Sequence, residues 1–220
     1  TLHYFEAVII QAISPVSGPS SGGTYITVYG SGFSGHTTIS CIFDMKGRNT
    51  RIASPATVVS STSLTCNSPS ANVNVTSFLS LEIDSAYSSS VNSAFTFYWL
   101  PEVKALVPST GPESGGWTLV IQLDGLVPIP NIFSCRFSGS AVVAASSIAS
   151  GLECSVPSLT PGSHIVEISG NGFDYTLAGS VDISARITVT NIIPASGTVK
   201  GHQTVLLKGT GLDRPGLCCE

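Results

Sequence analysis

Apolar residues in this chain fall on every second position rather than every third or fourth. Ile26 and Val28 are flanked by Thr27 and Tyr29, Leu119 and Ile121 by Thr118 and Gln122, and Val205 and Leu207 stand at the same spacing further on. A strand sends successive side chains to opposite faces, so this period of two predicts half-buried strands. Alternation also marks AFTFYW at 94–99, VDISAR at 181–186 and LHYFEA at 2–7. Such segments recur about every 8 to 12 residues with Gly, Ser, Pro or Asn between them, the pattern of an all-β sandwich. No stretch keeps a helical period for three turns.

The alternating segments belong to a repeat. SPVSGPSSGG at 14–23 returns as VPSTGPESGG at 107–116 and, more loosely, as IPASGTVKGH at 193–202. The anchors are Pro15, Pro108 and Pro194, with periods of 108 − 15 = 93 and 194 − 108 = 86. Adding 17 to each anchor reaches Gly32, Gly125 and Gly211, each followed by a large apolar residue. Leu2, Phe95 and Val181 each lie 13 residues before an anchor, so residues 1–7 read as the closing strand of a preceding copy. The handovers at 97–103 and 184–188 hold no flexible Gly/Ser linker. Abutted copies without spacers predict a semi-rigid rod.

Within the first copy, Gly30, Gly32 and Gly35 match G-x-G-x-x-G, the spacing of a dinucleotide-binding turn. That turn needs a following helix whose N-terminal amides grip a pyrophosphate. HTTISCIF follows instead, with strand alternation, and no carboxylate stands near Pro55 to hold a ribose. In the second copy Leu123 replaces Gly30. The glycines serve chain reversal.

Composition narrows the partners. Asp, Glu, Lys and Arg make up 10% of the chain, against about 25% in ordinary soluble proteins. The 35 Ser and 20 Thr residues carry solubility in place of charge. Nine basic residues spread from Lys46 to Arg214, at net charge −4, offer no patch for a row of phosphates, so nucleic acid is not an expected partner. The most apolar run, AVVAASSIA at 141–149, is too short for a membrane span.

The stretch SPVSGPSSGGTYITVYGSGF, with a later Cys, a C-x-x-P and a closing aromatic strand, resembles the IPT/TIG domain. The resemblance covers two full copies and fragments of two more. It implies tandem immunoglobulin-like β-sandwiches arranged end to end. These occur in plexin and Met-type receptor ectodomains, in fibrocystin-like surface proteins, as accessory modules of starch-processing enzymes and as dimerisation modules of Rel-type transcription factors. Fold alone does not choose among those roles. Copy three departs from the pattern with Thr198 and His202 where the earlier copies have Pro and Gly. The expected division is 1–7, the last strand of a preceding repeat; 8–99 and 100–186, two IPT/TIG-like domains; and 187–220, the first part of a third.

Cys41 and Cys135 lie 26 and 27 residues after their anchors with apolar residues two away on each side, and Cys66 and Cys154 each open a C-x-x-P. Six cysteines allow 15 connectivities, and the repeat selects Cys41 with Cys66 and Cys135 with Cys154. Two pairs of reduced, buried thiols are the alternative. Pairing points to the secretory pathway and an extracellular or cell-surface protein. Cys218 and Cys219 follow Pro194 by 24 and 25 residues, so one is expected to pair with a residue beyond Glu220, and the chain reads as a window of a longer array. The cysteines do not come in the close C-x-x-C pairs of a zinc site. Asn74-Val75-Thr76 is an N-glycosylation sequon in a polar turn.

No catalytic set emerges. His3, His36, His164 and His202 lie in separate copies or turns and read as surface residues. Glu82 and Asp84 share a strand face without the ligand-rich loop that calcium needs. Trp99 is expected to cover the handover between copies one and two, although both Trp99 and Trp117 have the shape to stack on sugar rings. The leading expectation is a non-catalytic extracellular segment without cofactors, building a rod, stalk or filament of a larger cell-surface glycoprotein. Its partners would be other protein chains, further repeats of the same protein, or glycans. Alternatives are a plexin-like or fibrocystin-like ligand-binding ectodomain and an accessory carbohydrate-binding module of an enzyme. A Rel-like factor would need a basic face and reduced cysteines, and the sequence offers neither.

Overall fold

The computed structural model describes residues 7–45, 50–72, 75–84, 87–99, 102–124 and 133–212. Every regular element among them is a strand. The first unit comprises β1 (Ile9–Ser14), β2 (Ser17–Pro19), β3 (Tyr25–Ser31), β4 (Ile39–Met45), β5 (Arg51–Ser60), β6 (Ser63–Asn67), β7 (Val75–Ile83) and β8 (Tyr87–Tyr98). The second comprises β9 (Val103–Val107), β10 (Thr110–Pro112), β11 (Thr118–Leu123), β12 (Ser134–Phe137), β13 (Ala141–Ile148), β14 (Gly151–Ser155), β15 (Gly162–Ser169) and β16 (Thr176–Ser184). A two-stranded ladder of β17 (Thr188–Ile193) and β18 (Leu206–Thr210) follows. The strand that follows Gly35 is β4, not a helix, so no phosphate-binding turn forms there.

Both units have one topology. Their hydrogen-bonded orders are β1-β3-β6-β5-β4-β7-β8-β2 and β9-β11-β14-β13-β12-β15-β16-β10. Each eight-stranded order is a sandwich folded at one long strand. The first half of β5 pairs with β4 through Arg51–Pro55 and its second half with β6 through Ala56–Ser60. In the second unit, β13 likewise leaves β12 after Ala144 and joins β14 from Ala145. The opening strand divides as well: β1 lies antiparallel to β3, and after Pro15 β2 lies parallel to β8 in the other sheet.

The repeat persists in the ladders. Ile13 pairs with Val28, Leu106 with Ile121 and Ile192 with Leu207, in each case two residues before the anchor and 13 after it. Each opening strand carries one unpaired residue at the same place: Gln11 (15 − 4), Lys104 (108 − 4) and Thr190 (194 − 4). A bulge of this kind bends the strand and increases its twist. The peptide bond before each anchor proline is cis.

Each sandwich closes over its own core. Ile26, Val28, Leu64, Leu79, Leu81 and Phe43 are fully buried in the first, where the Phe95 ring meets those of Phe43 and Phe97 at centroid distances of 5.9 and 5.0 Å. Leu119, Ile121, Phe137, Leu152, Val166 and Val181 fill the second. In these two sandwiches the positions that alternate in sequence face inward, and burying each side chain of this size contributes about 1.5–3 kcal/mol, whereas Val205 of the third alternating segment is 47% exposed.

Turn chemistry explains why the opening motif and C-x-x-P travel together. Gly22 and Gly115 hold φ of +81° and +66°, and a Cβ there would sit 2.6 and 2.4 Å from the backbone of Pro69 and Pro157, the prolines of CNSP and CSVP. One residue later, His202 of copy three adopts φ 62°, the left-handed conformation that its counterparts Gly23 and Gly116 supply at less cost.

Candidate functional site

In each unit a disulfide joins the two sheets: Cys41 of β4 to Cys66 of β6, and Cys135 of β12 to Cys154 of β14, with 6.4 Å between Cα atoms in both. All four residues are buried within the cores. Alternation on β4 and β12 points these side chains inward, and the pleat of the facing sheet supplies a partner at bonding distance. Asn74, Cys218, Cys219 and His3 lie outside the described residues.

The remaining polar chemistry is structural. Asp84 follows β7 directly and ties down the loop before β4: its Oδ1 accepts from the Thr37 amide at 2.9 Å, the Thr37 hydroxyl at 2.6 Å and the Thr38 amide at 3.0 Å, while Oδ2 lies 3.1 Å from His36 Nδ1. The Thr37 hydroxyl, then the Thr38 amide and His36, hold this carboxyl well below the usual range. Both oxygens are therefore engaged with donors instead of a cation. The His36 side chain is only 7% exposed, so it is enclosed rather than a surface residue as the sequence suggested. His164 sits between the Ser138 hydroxyl and the Thr160 carbonyl, both at 2.7 Å, with Nε2 donating to the carbonyl. These histidines do not converge. Among the described residues no group of three or more His, Cys, Asp or Glu is arranged to hold a metal.

On β12 and β15, Arg136 and Glu167 face each other across the ladder and form two hydrogen bonds of 2.8 Å, with the guanidinium 3.8 Å from the Tyr175 ring centroid. The Glu167 hydrogen bonds raise the Arg136 pKa further and Arg136 lowers that of Glu167. This pair fastens neighbouring strands. A groove of about 950 Å³ lies beside Glu113, Leu159, Pro161, Arg186 and Ile187, and there the Glu113 carboxylate accepts from the Arg186 amide at 3.0 Å. The Ser158 hydroxyl at the same groove donates to the Glu113 carbonyl at 2.9 Å, so both groups serve the turn.

The handover between the units is built differently from the sequence expectation. Trp99 stays 43% exposed, whereas its neighbour Tyr98 is buried. Asn171 and Asp174, in the connection between β15 and β16, reach the first unit: Asn171 Nδ2 donates to the Ser17 carbonyl at 2.8 Å, and the Thr24 hydroxyl donates to Asp174 Oδ2 at 2.8 Å. Sequence reading passed over this turn, although its NG step and four polar or glycine residues mark a connection longer than a tight hairpin needs. Trp117 is partly buried, packed on the second core and above Gly111.

Two sandwiches of one topology, each with an inter-sheet disulfide and the GPxSGG turn locked to a C-x-x-P, match the IPT/TIG domain over residues 8–97 and again over 101–184. The chain belongs to the IPT/TIG family. Fibrocystin of Mus musculus is 25% identical over 219 residues, an alignment that covers 93% of this chain and 5% of fibrocystin. The full extracellular region of plexin A4 superposes with a TM-score of 0.50 and 17% identity, covering 100% of this chain and 19% of plexin's. The IPT/TIG chain thus spans a small part of both. At 17% identity the plexin likeness speaks to fold: successive IPT/TIG sandwiches continuing one another in a single chain.

Proposed function

We propose that this chain is a non-catalytic, extracellular run of IPT/TIG domains forming part of a rod or stalk of a larger cell-surface glycoprotein, with residues 187–220 opening a third domain. The observation that carries the reading is the inter-sheet disulfide buried in each core, because such bonds persist in oxidising compartments. Direct succession supports the rod: β8 ends at Tyr98 and β9 begins at Val103. On this reading Asn74 carries an N-linked glycan, and Cys218 or Cys219 pairs with a residue further along the protein.

A second reading, a ligand-binding receptor ectodomain, is favoured by the similarity to fibrocystin and to the extracellular region of plexin A4. Partners in either case are proteins or further repeats.

Surface biotinylation of intact cells expressing the full-length gene product tests location, and glycosidase treatment tests Asn74. Labelling from outside is expected, together with a mobility shift that Asn74→Gln reduces. A product that is labelled only after permeabilisation would overturn the reading. Saturable binding of the purified chain to a second protein would favour the receptor over the stalk.

A further inference from the structure

We infer that the connection 169–174 is a latch that fixes the second sandwich onto the first, so that the two domains move as one rigid body. Four observations meet at this junction. The first is Tyr98. Phe95 and Phe97 point into the core of the first sandwich, so alternation along β8 turns Tyr98 to the outer face. Tyr98 is nevertheless 1% exposed, and the residue packed on its ring is Gly170 of the second sandwich. Burial first, and the Asp174 carboxylate second, push the Tyr98 phenol well above its ordinary pKa, so it docks as the neutral form.

The second observation is Gly170 itself. It needs no left-handed backbone, unlike Gly172 with φ +76°. The three atoms nearest to an added Cβ, at 2.7, 2.8 and 3.1 Å, are all carbons of the Tyr98 ring. Glycine is required there by the neighbouring domain and not by its own turn.

Third, the turn is braced before it docks. Asn171 Oδ1 accepts from the amides of Phe173 and Asp174 at 2.9 and 2.8 Å, and Ser169 Oγ accepts from the amide of Gly172 at 2.9 Å. Asn171 Nδ2 then divides between Asp174 Oδ2 at 2.7 Å and the Ser17 carbonyl. A preorganised turn loses little further freedom on docking. Fourth, the connection is lengthened where it docks. Ile83 pairs with Tyr87 in the first sandwich, leaving 84–86 between them, whereas Ile168 pairs with Thr176 in the second, leaving 169–175.

The socket residues are not repeated in the second copy: Thr24 and Tyr98 correspond to Trp117 (108 + 9) and Ser184 (181 + 3) at the far end of the second sandwich.

Residual dipolar couplings of the 220-residue chain test the latch. One alignment tensor is expected to fit the amides of both sandwiches. Gly170→Val, which drives a side chain into Tyr98, and Asp174→Ala, which removes the acceptor of Thr24, should each split the fit into two tensors while amide shifts within each core stay unchanged. Two independent tensors in the unsubstituted chain would overturn the inference, as would a single tensor of unchanged orientation in both variants. Unfolding of the second sandwich by Gly170→Val would contradict the steric account of that glycine, and Asp174→Ala would then decide alone. The outcome does not depend on cell-surface location, since a cytosolic chain can show one tensor and a surface protein two.

Discussion

Replacing both Cys135 and Cys154 with alanine removes the bridge of the second sandwich and hollows the core around it. The bridge closes a separation of 19 residues, for which chain entropy gives about 3 kcal/mol. Both residues are buried, 0% and 1% exposed, and trimming two such side chains to alanine costs about 1 kcal/mol each through lost contacts and residual cavity. The expected loss is therefore about 5 kcal/mol, comparable with the whole stability of a weak domain. Reducing the unsubstituted protein removes only the chain-entropy part, about 3 kcal/mol. Trp117 packs on this core and reports its unfolding. In a Trp99→Phe background, urea titration followed by tryptophan fluorescence isolates the second domain. At a slope of about 1.5 kcal/mol/M the midpoint should fall by about 3 M in the double variant and about 2 M on reduction alone. A loss below about 1 kcal/mol in the double variant would refute the reasoning, since it would mean that neither loop closure nor core packing depends on the bridge.

Gly115→Ala should cost at least about 2 kcal/mol in a thermal melt, because it meets both a positive φ and the Pro157 backbone, whereas Gly116→Ala, at φ +77° with nothing within 4 Å, should cost only about 1 kcal/mol; equal losses would contradict the locked turn. Asp84 is held below its unfolded pKa, so the unfolded chain takes up the proton first on acidification. Its contribution is complete above about pH 4 and is lost as pH falls further toward the native value. Asp84→Asn should accordingly flatten the decline of the first domain's urea midpoint between about pH 4 and pH 2, and an unchanged slope would refute the role of the Thr37 and Thr38 contacts.

Much of the fold was legible because alternation fixes faces directly. Ile26, Val28, Leu119 and Ile121 are all fully buried where the period of two places them inward. The anchor prolines carried the repeat from sequence into register, since the same offsets recur in all three opening ladders. Less legible were β5 and β13, which are half-exposed, serve both sheets, and therefore lack a strong alternation of their own.

The handover was misread by one residue. Trp99 is the larger aromatic, but a single step along a strand changes the face, and only the placement of the second sandwich shows that the outer face at Tyr98 is covered. His36 with Asp84, 48 residues apart, and Thr24 with Asp174, 150 apart, are side-chain meetings that no local spacing encodes.

The measurement closest to the central claim is peptide mapping of the full-length protein isolated from its own cells, alkylated at once and digested without reduction. Extracellular IPT/TIG sandwiches should yield two linked peptide pairs, Cys41 with Cys66 and Cys135 with Cys154. Recovery of all four as alkylated, unlinked cysteines would contradict both the pinned cores and the extracellular assignment built on them.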